Sequence, residues 1–263
     1  MIILEDIADK TRERIQFEKE GTDVQILLQQ IEERKDGVQP SRTFRQALLQ
    51  KEMSFICEVK KASLSNGMIV DKFPYLEIAE EYEAAGASAV SVLTEPFYFE
   101  GSDQYLWEIA GRLRIPVLRK DYVIDEYMVY QARALGASAI LLICGILDDH
   151  ELKAYRELAL SLGMDSMFEA HSEAEVTRAL DAGAQIISGC NRDFITDEID
   201  MMNSIQLRKM VPDDVLFVSE GGIRTHEDVQ LLKDNGIRAV LVGEAMMKSE
   251  CRKKTLQMLA GDK

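Results

Sequence analysis

From about Ser54 onward, short apolar runs alternate with longer amphipathic stretches, and this alternation restricts the possible folds more than any other feature of the chain. Each run is brief and rich in β-branched residues, as expected of strands covered on both faces. A strand followed by a helix at this spacing predicts parallel strands with right-handed crossovers. The eight predicted strands are 54–60, 88–93, 116–120, 139–143, 165–169, 185–188, 216–219 and 239–242.

A short pattern that repeats at four helix-to-strand junctions supports the count of eight strands. The repeat recurs about every second strand–helix unit, which indicates a quarter-barrel periodicity. Its glycines suit the left-handed residue that ends a helix; they are Gly86, Gly136, Gly183 and Gly236. We therefore predict a (β/α)8 TIM barrel over residues 51–263. A doubly wound open sheet is the competing fold, and eight regular units favour closure.

Residues 1–50 lie outside this rhythm. They carry apolar residues at helical spacing, such as Ile26, Leu27 and Ile31, and they contain no strand-like run. We therefore predict an N-terminal helical extension. No Pro/Gly/Ser-rich linker divides the chain, so residues 1–263 are expected to form a single domain.

The overall charge and the scattered cysteines argue against several classes of function. A formal net charge of −15 argues against nucleic-acid binding, which needs clustered Lys and Arg. A small anion can still bind, because a few cations in a cleft outweigh the overall sign. With no signal peptide and no long apolar span, we expect a cytoplasmic protein without membrane contact. The three histidines show no metal-ligand spacing, so no metal site is predicted.

Ionisable residues stand at the C-terminal ends of the odd-numbered predicted strands, where the active sites of such barrels lie. They are Lys60, Lys120, Glu169 and Glu220, and Glu58 shares a face with Lys60 through period-two alternation. Burial shifts the pKa of each group while opposite neighbours keep it ionised, so the set can provide an acid and a base near neutral pH. A salt-bridge network that closes the barrel top is the alternative interpretation.

Glycines follow the last two predicted strands. Gly221 and Gly222 come after the seventh strand, and Gly243 ends the eighth immediately before a helix. Small residues here let backbone N–H groups approach an anion at a helix N-terminus, which is the usual phosphate position in these barrels. The pattern predicts a phosphorylated ligand.

Five stretches of the chain carry a combination of motifs that resembles the indole-3-glycerol phosphate synthase family. They are F-I-C-E-V-K-K-A-S (55–63), S-V-L-T-E-P-F-Y-F-E-G-S (91–102), L-R-K-D-Y-V-I-D-E-Y (118–127), N-R-D (191–193) and V-G-E-A-M-M (242–247). The likeness covers nearly the whole chain, including the helical extension. It implies a carboxy-lyase of tryptophan biosynthesis that converts 1-(2-carboxyphenylamino)-1-deoxyribulose 5-phosphate to indole-3-glycerol phosphate, CO2 and water, without a cofactor.

The resemblance also implies a role for each strand-end charge. Lys120 would be the general acid that protonates the ribulose carbonyl for ring closure. Glu169 and Lys60 would handle the later proton transfers, and Glu58 and Glu220 would set the charge and position of the lysines.

The remaining residues implied by the resemblance would bind the substrate. Phe99 resembles the aromatic residue of the anthranilate pocket, Arg192 the residue on the anion side, and Ser63 the serine after the first strand. The expected partner is one phosphorylated small molecule, and the oligomeric state is expected to be a monomer or a weak dimer. The predicted binding residues are Ser63, Phe99, Tyr122, Cys190, Asn191, Arg192, Glu220, Gly221, Gly222, Gly243 and Glu244.

Several positions depart from the family pattern in the binding loops. Leu64 replaces a proline, Asn66 a lysine, Cys190 a substrate-binding asparagine and Gly221 a serine. These changes leave two further interpretations open. One is a related phosphosugar barrel enzyme of isomerase type with an altered substrate, and the other is a non-catalytic barrel that only binds a phosphorylated ligand.

Overall fold

The computed structural model describes residues 4–34, 37, 39–65, 67–193, 196 and 198–262. Eight parallel strands close into a barrel in which each strand pairs with its neighbours in sequence and the last pairs with the first. The strands are β1 (Ser54–Val59), β2 (Ala89–Leu93), β3 (Val117–Lys120), β4 (Ala139–Ile143), β5 (Asp165–Ala170), β6 (Ile186–Cys190), β7 (Leu216–Glu220) and β8 (Ala239–Val242). The predicted (β/α)8 fold is confirmed.

Helices precede the barrel and cover its outside. The predicted helical extension is confirmed by α1 (Leu4–Gly21), α2 (Val24–Glu33) and α3 (Phe44–Leu48). None of the helices in the described ranges is long and apolar enough to cross a membrane. The helices of the barrel are α4 (Tyr75–Ala85), α5 (Asp103–Arg112), α6 (Glu126–Leu135), α7 (Asp149–Ser161), α8 (Glu173–Asp181), α9 (Met201–Arg208), α10 (His226–Asp234), α11 (Glu244–Met247) and α12 (Arg252–Ala260).

The strands bury both faces, as their nearly continuous apolar sequences predict. Their outward residues pack against the helices, and their inward residues fill the barrel with a second apolar cluster that includes Ile56, Leu118 and Met167. This filled interior ends at the C-terminal ends of the strands, where the inward positions become polar. The barrel therefore provides a closed apolar floor beneath its charged groups.

The junction glycines adopt the left-handed conformation predicted for them. Their φ values are 95° at Gly86, 94° at Gly136, 83° at Gly183 and 77° at Gly236. The predicted end of the sixth strand was wrong by two residues, because Gly189 does not interrupt it. Gly189 pairs with Ser219 in the ladder, and an added Cβ would lie only 2.6 Å from the Phe217 ring.

The N-terminal extension is fixed to the barrel beside β3. Arg14 of α1 donates to both carboxylate oxygens of Asp121 at 3.0 Å, and Lys19 pairs with Asp125 at 2.6 Å. Gln131 of α6 donates to Glu18 at 2.8 Å. These contacts join the first helix to the strand that carries Lys120.

Candidate active site

A pocket opens at the C-terminal end of the barrel, with a volume of about 1140 Å³ including its mouth. Its floor is apolar, and its walls are the strand ends and the loops that follow them. Of the predicted site residues, all of which the structure describes, Asn191 alone does not line the pocket. The predicted residues that do line it are Glu58, Lys60, Ser63, Phe99, Lys120, Tyr122, Glu169, Cys190, Arg192, Glu220, Gly221, Gly222, Gly243 and Glu244.

Lys120 is the centre of the charged group. Its ammonium donates to Glu169 Oε2 at 3.0 Å and also to Glu220 Oε2. Both glutamates are buried, because β5 and β7 direct these positions inward above the filled barrel. Glu220 also has one buried oxygen, Oε1, that the described residues leave without a hydrogen bond.

The pKa values of this group follow from burial and opposite charge. Burial lowers the pKa of Lys120, but Glu169 and Glu220 outweigh it and hold that pKa well above its ordinary value. Burial raises the pKa of Glu169, and the Lys120 charge with His171 more than reverses the effect, so its pKa lies below the ordinary value. For Glu220, burial prevails and the pKa is raised. The site therefore holds a charged lysine beside two carboxylates of unequal acidity.

A second ion pair lies across the pocket, at the end of β1. Lys60 donates to Glu58 Oε1, and Glu58 is 3% exposed whereas the Lys60 side chain is 19% exposed. Gly243 makes room for this pair, because a Cβ at that position would lie 2.5 Å from Glu58 Oε1 and 3.0 Å from Lys60 Nζ. The glycine after β8 thus permits Lys60 to fold back towards Glu58.

The loops after β6, β7 and β8 form the polar end of the pocket. Gly221 and Gly222 have φ values of 93° and 81°, which residues other than glycine rarely adopt. A Cβ on Gly222 would also lie 2.3 Å from a methyl group of Ile199. Arg192 and Arg224 line the same end. Exposed backbone beside two guanidinium groups suits an anion.

The opposite wall of the pocket is aromatic. The Phe99 and Tyr122 rings lie with centroids 6.3 Å apart and an interplanar angle of 30°. The buried carboxylate of Glu95 fixes the loop after β2, since it accepts hydrogen bonds from the backbone N–H groups of Phe97, Tyr98 and Phe99. This wall suits an aromatic part of a ligand.

Asn191 lies behind the glycine loop. Its amide donates to Ser219 Oγ at 3.1 Å and to the Gly221 carbonyl at 3.0 Å, and it accepts from Ser204 Oγ at 2.6 Å. These bonds hold the backbone of Gly221 in place, so the structure gives Asn191 a supporting position. Its predicted contact with substrate stays a prediction.

Three of the four positions that depart from the family pattern lie in the described part of the chain. Leu64, Cys190 and Gly221 all line the pocket, whereas Asn66 lies outside the described residues. Ser63 belongs to a short antiparallel hairpin, Ala62–Ser63 with Gly67–Met68, that the sequence did not predict. The three changed residues that the structure describes therefore face the space in which a substrate would lie.

Sequence reasoning missed several polar residues of the pocket region, of which His171 and Arg224 matter most for its charge. His171, directly after β5, has its Nε2 atom 3.0 Å from Glu169 Oε1, and Arg224 joins Arg192 at the polar end. Neither belongs to a motif, and both stand beyond the strand ends where the search was made. Period-two alternation from Glu169 was the available signal for His171.

Comparison with known proteins gives one consistent result. Residues 4–259 match the family described as indole-3-glycerol phosphate synthase. The protein of that name from Ruminiclostridium cellulolyticum is 47% identical over 94% of this chain and 95% of its own length. The protein from Lacticaseibacillus casei is 46% identical over 97% of each chain, and that from Endomicrobium trichonymphae is 52% identical over 79% of this chain and 80% of its own.

Solved structures that resemble this chain are more distant. A 3-hexulose-6-phosphate synthase superposes with a TM-score of 0.63 at 12% identity, covering 80% of this chain and 99% of its own. A chain of the tryptophan synthase a2b2 complex from Pyrococcus furiosus gives a TM-score of 0.61 at 16% identity with the same coverage. At these identities the likeness supports the fold alone.

Proposed function

Because the chain belongs to the indole-3-glycerol phosphate synthase family, we propose that Lys120 is the general acid of its ring-closing step, with Glu169 and Lys60 completing the proton transfers. The enzyme converts 1-(2-carboxyphenylamino)-1-deoxyribulose 5-phosphate to indole-3-glycerol phosphate, CO2 and water, a carboxy-lyase reaction of tryptophan biosynthesis. The observation that carries the assignment of roles is the position of Lys120, which lies between two buried carboxylates at the pocket floor.

Ring closure requires a proton donor at the ribulose ketone. The aryl carbon that bears the carboxylate attacks the ketone carbon, and the ketone oxygen becomes an alkoxide unless it is protonated. Lys120 is charged in the resting pocket, because Glu169 and Glu220 raise its pKa. The developing alkoxide is a far stronger base than either carboxylate, so the proton moves to it as the C–C bond forms. Loss of CO2 then leaves its electron pair in the ring system.

Dehydration requires a second acid and a base. The hydroxyl formed at the former ketone leaves as water, which needs a proton, and the nitrogen or ring carbon must lose one to restore the indole. Glu169 is ionised and buried beside Lys120, which suits a base that reaches the reaction centre. Lys60 stands on the opposite side of the pocket and can serve the departing hydroxyl.

The two ends of the pocket are proposed to orient the substrate. The glycine loops with Arg192 and Arg224 would hold the phosphate, and Phe99 with Tyr122 would contact the carboxyphenyl ring. Such fixation at both ends brings the aryl carbon towards the ketone and lowers the entropy cost of ring closure. A cytoplasmic location is proposed on the ground that amino-acid biosynthesis supplies its substrate there.

The test compares Lys120 with a lysine that lies outside the pocket. Lys120→Met should reduce formation of the fluorescent indole product by about 100- to 10,000-fold, because the general acid is lost. Lys61, which pairs with Glu100 at 2.6 Å and does not line the pocket, gives the matched control: Lys61→Met should keep its turnover. Inorganic phosphate binding by Lys120→Met, measured by calorimetry, checks that the barrel is intact. Substantial turnover by Lys120→Met would overturn the role of Lys120.

A further inference from the structure

Three side chains with different metal-binding atoms meet in the pocket wall between β5 and β6. One ligand atom from each of Glu169, His171 and Cys190 lies within 4.8 Å of the other two. Glu169 and Cys190 are buried, and His171 is half-buried. No other trio of His, Cys, Asp or Glu side chains comes this close among the described residues.

The spacing of these atoms is near that of a metal site. Glu169 Oε1 and His171 Nε2 are 3.0 Å apart. In a tetrahedral zinc site with bonds of about 2.0–2.1 Å, the corresponding edge is about 3.3 Å, so the two atoms need to separate by only a few tenths of an ångström. The other oxygen of Glu169 accepts from Lys120 at 3.0 Å, and such an outer hydrogen bond orients a ligating carboxylate.

The donor set selects the class of metal. One imidazole nitrogen, one thiol sulfur and one carboxylate oxygen suit Zn²⁺ and its substitute Co²⁺, whereas Mg²⁺ and Ca²⁺ prefer oxygen ligands throughout. Glu169 and Cys190 line the pocket and His171 lies beside Glu169, so three protein ligands leave the fourth position to water from the pocket. That arrangement is the one found in open zinc sites.

The charge balance of the strand-end group accommodates a divalent cation. Three buried carboxylates, Glu58, Glu169 and Glu220, stand against the two ammonium groups of Lys60 and Lys120. Burial lowers the pKa of His171, but Glu169 outweighs it and raises that pKa, and a protonated imidazole makes the group neutral. A divalent ion that displaces the His171 and Cys190 protons to solvent keeps it neutral.

The Cys190 thiol is not suited to act as a nucleophile. It donates weakly to the Arg192 carbonyl at 3.6 Å, and burial raises its pKa well above the ordinary value. Without a metal it stays protonated at neutral pH and unreactive. A bound cation would supply the positive charge that the thiolate lacks.

We propose that Glu169, His171 and Cys190 form a Zn²⁺-binding site whose occupation reversibly inhibits the enzyme. Zinc would bond to the Glu169 oxygen that faces His171, and this carboxylate could then no longer accept a proton. It would also place a metal-bound water where the substrate is processed. The sequence did not predict this site, because its ligands come from two strands and lack the spacing of a metal motif.

The direct test is a cobalt titration of the purified full-length protein. A Co²⁺–thiolate bond gives a charge-transfer absorption in the near ultraviolet that oxygen and nitrogen ligands do not give. We expect this absorption to saturate at one Co²⁺ per chain and to be absent in Cys190→Ser. Cys251→Ser is the matched control, since Cys251 is exposed and does not line the pocket; it should keep the absorption.

Zinc affinity and inhibition provide the second readout. In competition with a chromophoric chelator, Cys190→Ser and His171→Asn should each bind Zn²⁺ at least about tenfold more weakly than the wild type. Zinc should inhibit wild-type turnover, a strong chelator should restore it, and the half-inhibiting concentration should rise in both variants. Each variant is compared with its own metal-free rate.

Two results would overturn the proposal. One is a thiolate–cobalt absorption of wild-type strength in Cys190→Ser, and the other is an unchanged Zn²⁺ affinity in His171→Asn. The metal titrations use no substrate, so their outcome is independent of whether Lys120 is the general acid. Circular dichroism of each variant confirms that the loss of metal binding is not a loss of fold.

Discussion

The two faces of strand β3 carry two buried charge networks only one residue apart in sequence. On the outer face, Arg119 is fully buried, and each of its guanidinium nitrogens donates a hydrogen bond. Asp121 accepts from Arg14, Thr94 and Arg119. On the inner face, Lys120 lies between two glutamates at an open pocket.

The two networks differ in how completely their carboxylate oxygens are paired. Both carboxylate oxygens of Asp121 have charged partners, and this network is closed on one side by helix α1. Glu220 on the inner face keeps a buried oxygen without a hydrogen bond from the described residues. A buried carboxylate whose two oxygens are both paired stabilises the fold, whereas one with an unpaired oxygen can still accept a hydrogen bond from a ligand. Burial alone therefore does not distinguish a structural charge from a catalytic one.

The largest expected effect comes from removing the charge of Asp121, which tests whether the outer network stabilises the fold. Asp121→Asn should lower the free energy of unfolding by about 3–5 kcal/mol, because it leaves Arg14 and Arg119 buried without their shared carboxylate. Urea unfolding followed by circular dichroism measures this. Asp213→Asn is the control, since Asp213 pairs with Arg208 in solvent with a 98% exposed side chain. Equal midpoints for the two variants would contradict the structural role of the outer network.

The contributions of Asp121 on the outer face and Glu220 on the inner face should make stability depend on pH with opposite signs. Burial raises the pKa of Asp121, but Arg14 and Arg119 outweigh it, so the folded pKa lies below the unfolded value of about 3.9. Its contribution is present above that pH and is lost as pH falls through the folded pKa. Burial raises the pKa of Glu220 above the unfolded value of about 4.3, so stability is lost as pH rises through the folded pKa.

The measurement is urea unfolding at a series of pH values from about 3 to 7. The stability advantage of the wild type over Asp121→Asn should grow with rising pH. Its advantage over Glu220→Gln should shrink. If both differences changed in the same direction, the distinction between the two faces would fail.

The smallest expected effect concerns the binding wall of the inner face. Cys190→Asn restores the amide that the family pattern has at this position, and one added substrate hydrogen bond is worth about 0.5–1.5 kcal/mol. KM should therefore fall roughly two- to tenfold while kcat stays similar. Steady-state kinetics with the indole fluorescence readout test it. An unchanged KM would show that Cys190 is not in contact with the substrate.

The charged residues of the inner network could be predicted from the sequence, and the pairing of the outer network could not. Lys120, Glu169 and Glu220 stand at strand ends, and the barrel rule converts that position into proximity. Arg119 and Asp121 lie in the same motif, yet Arg14, which pairs with Asp121, comes from a helix 107 residues away in the chain. Period-two alternation separates the faces but does not say which helix covers the outer one.

Asn191 and Cys190 show the same limit at the level of single side chains. The motif suggested that both contact substrate, and the structure turns Asn191 towards Ser204 and Ser219 while Cys190 lines the pocket. The sequence reading ended the sixth strand before Gly189, so the alternation that separates the two residues was not applied. Gly189 continues the strand by pairing with Ser219, beside a Phe217 ring that leaves no room for a Cβ, and neither contact is local in sequence.

The charges of the pocket come from β1, β3, β5 and β7, and this distribution has a consequence for how the chain is made. Glu220 is synthesised only after most strands of the barrel. The barrel closes when β8 pairs with β1, which brings Ala239 beside Ser54. Contacts of such wide sequence separation form slowly. After dilution from urea, enzymatic turnover should therefore recover more slowly than the circular dichroism signal of the helices. The rate at which turnover recovers would then report the rate of barrel closure.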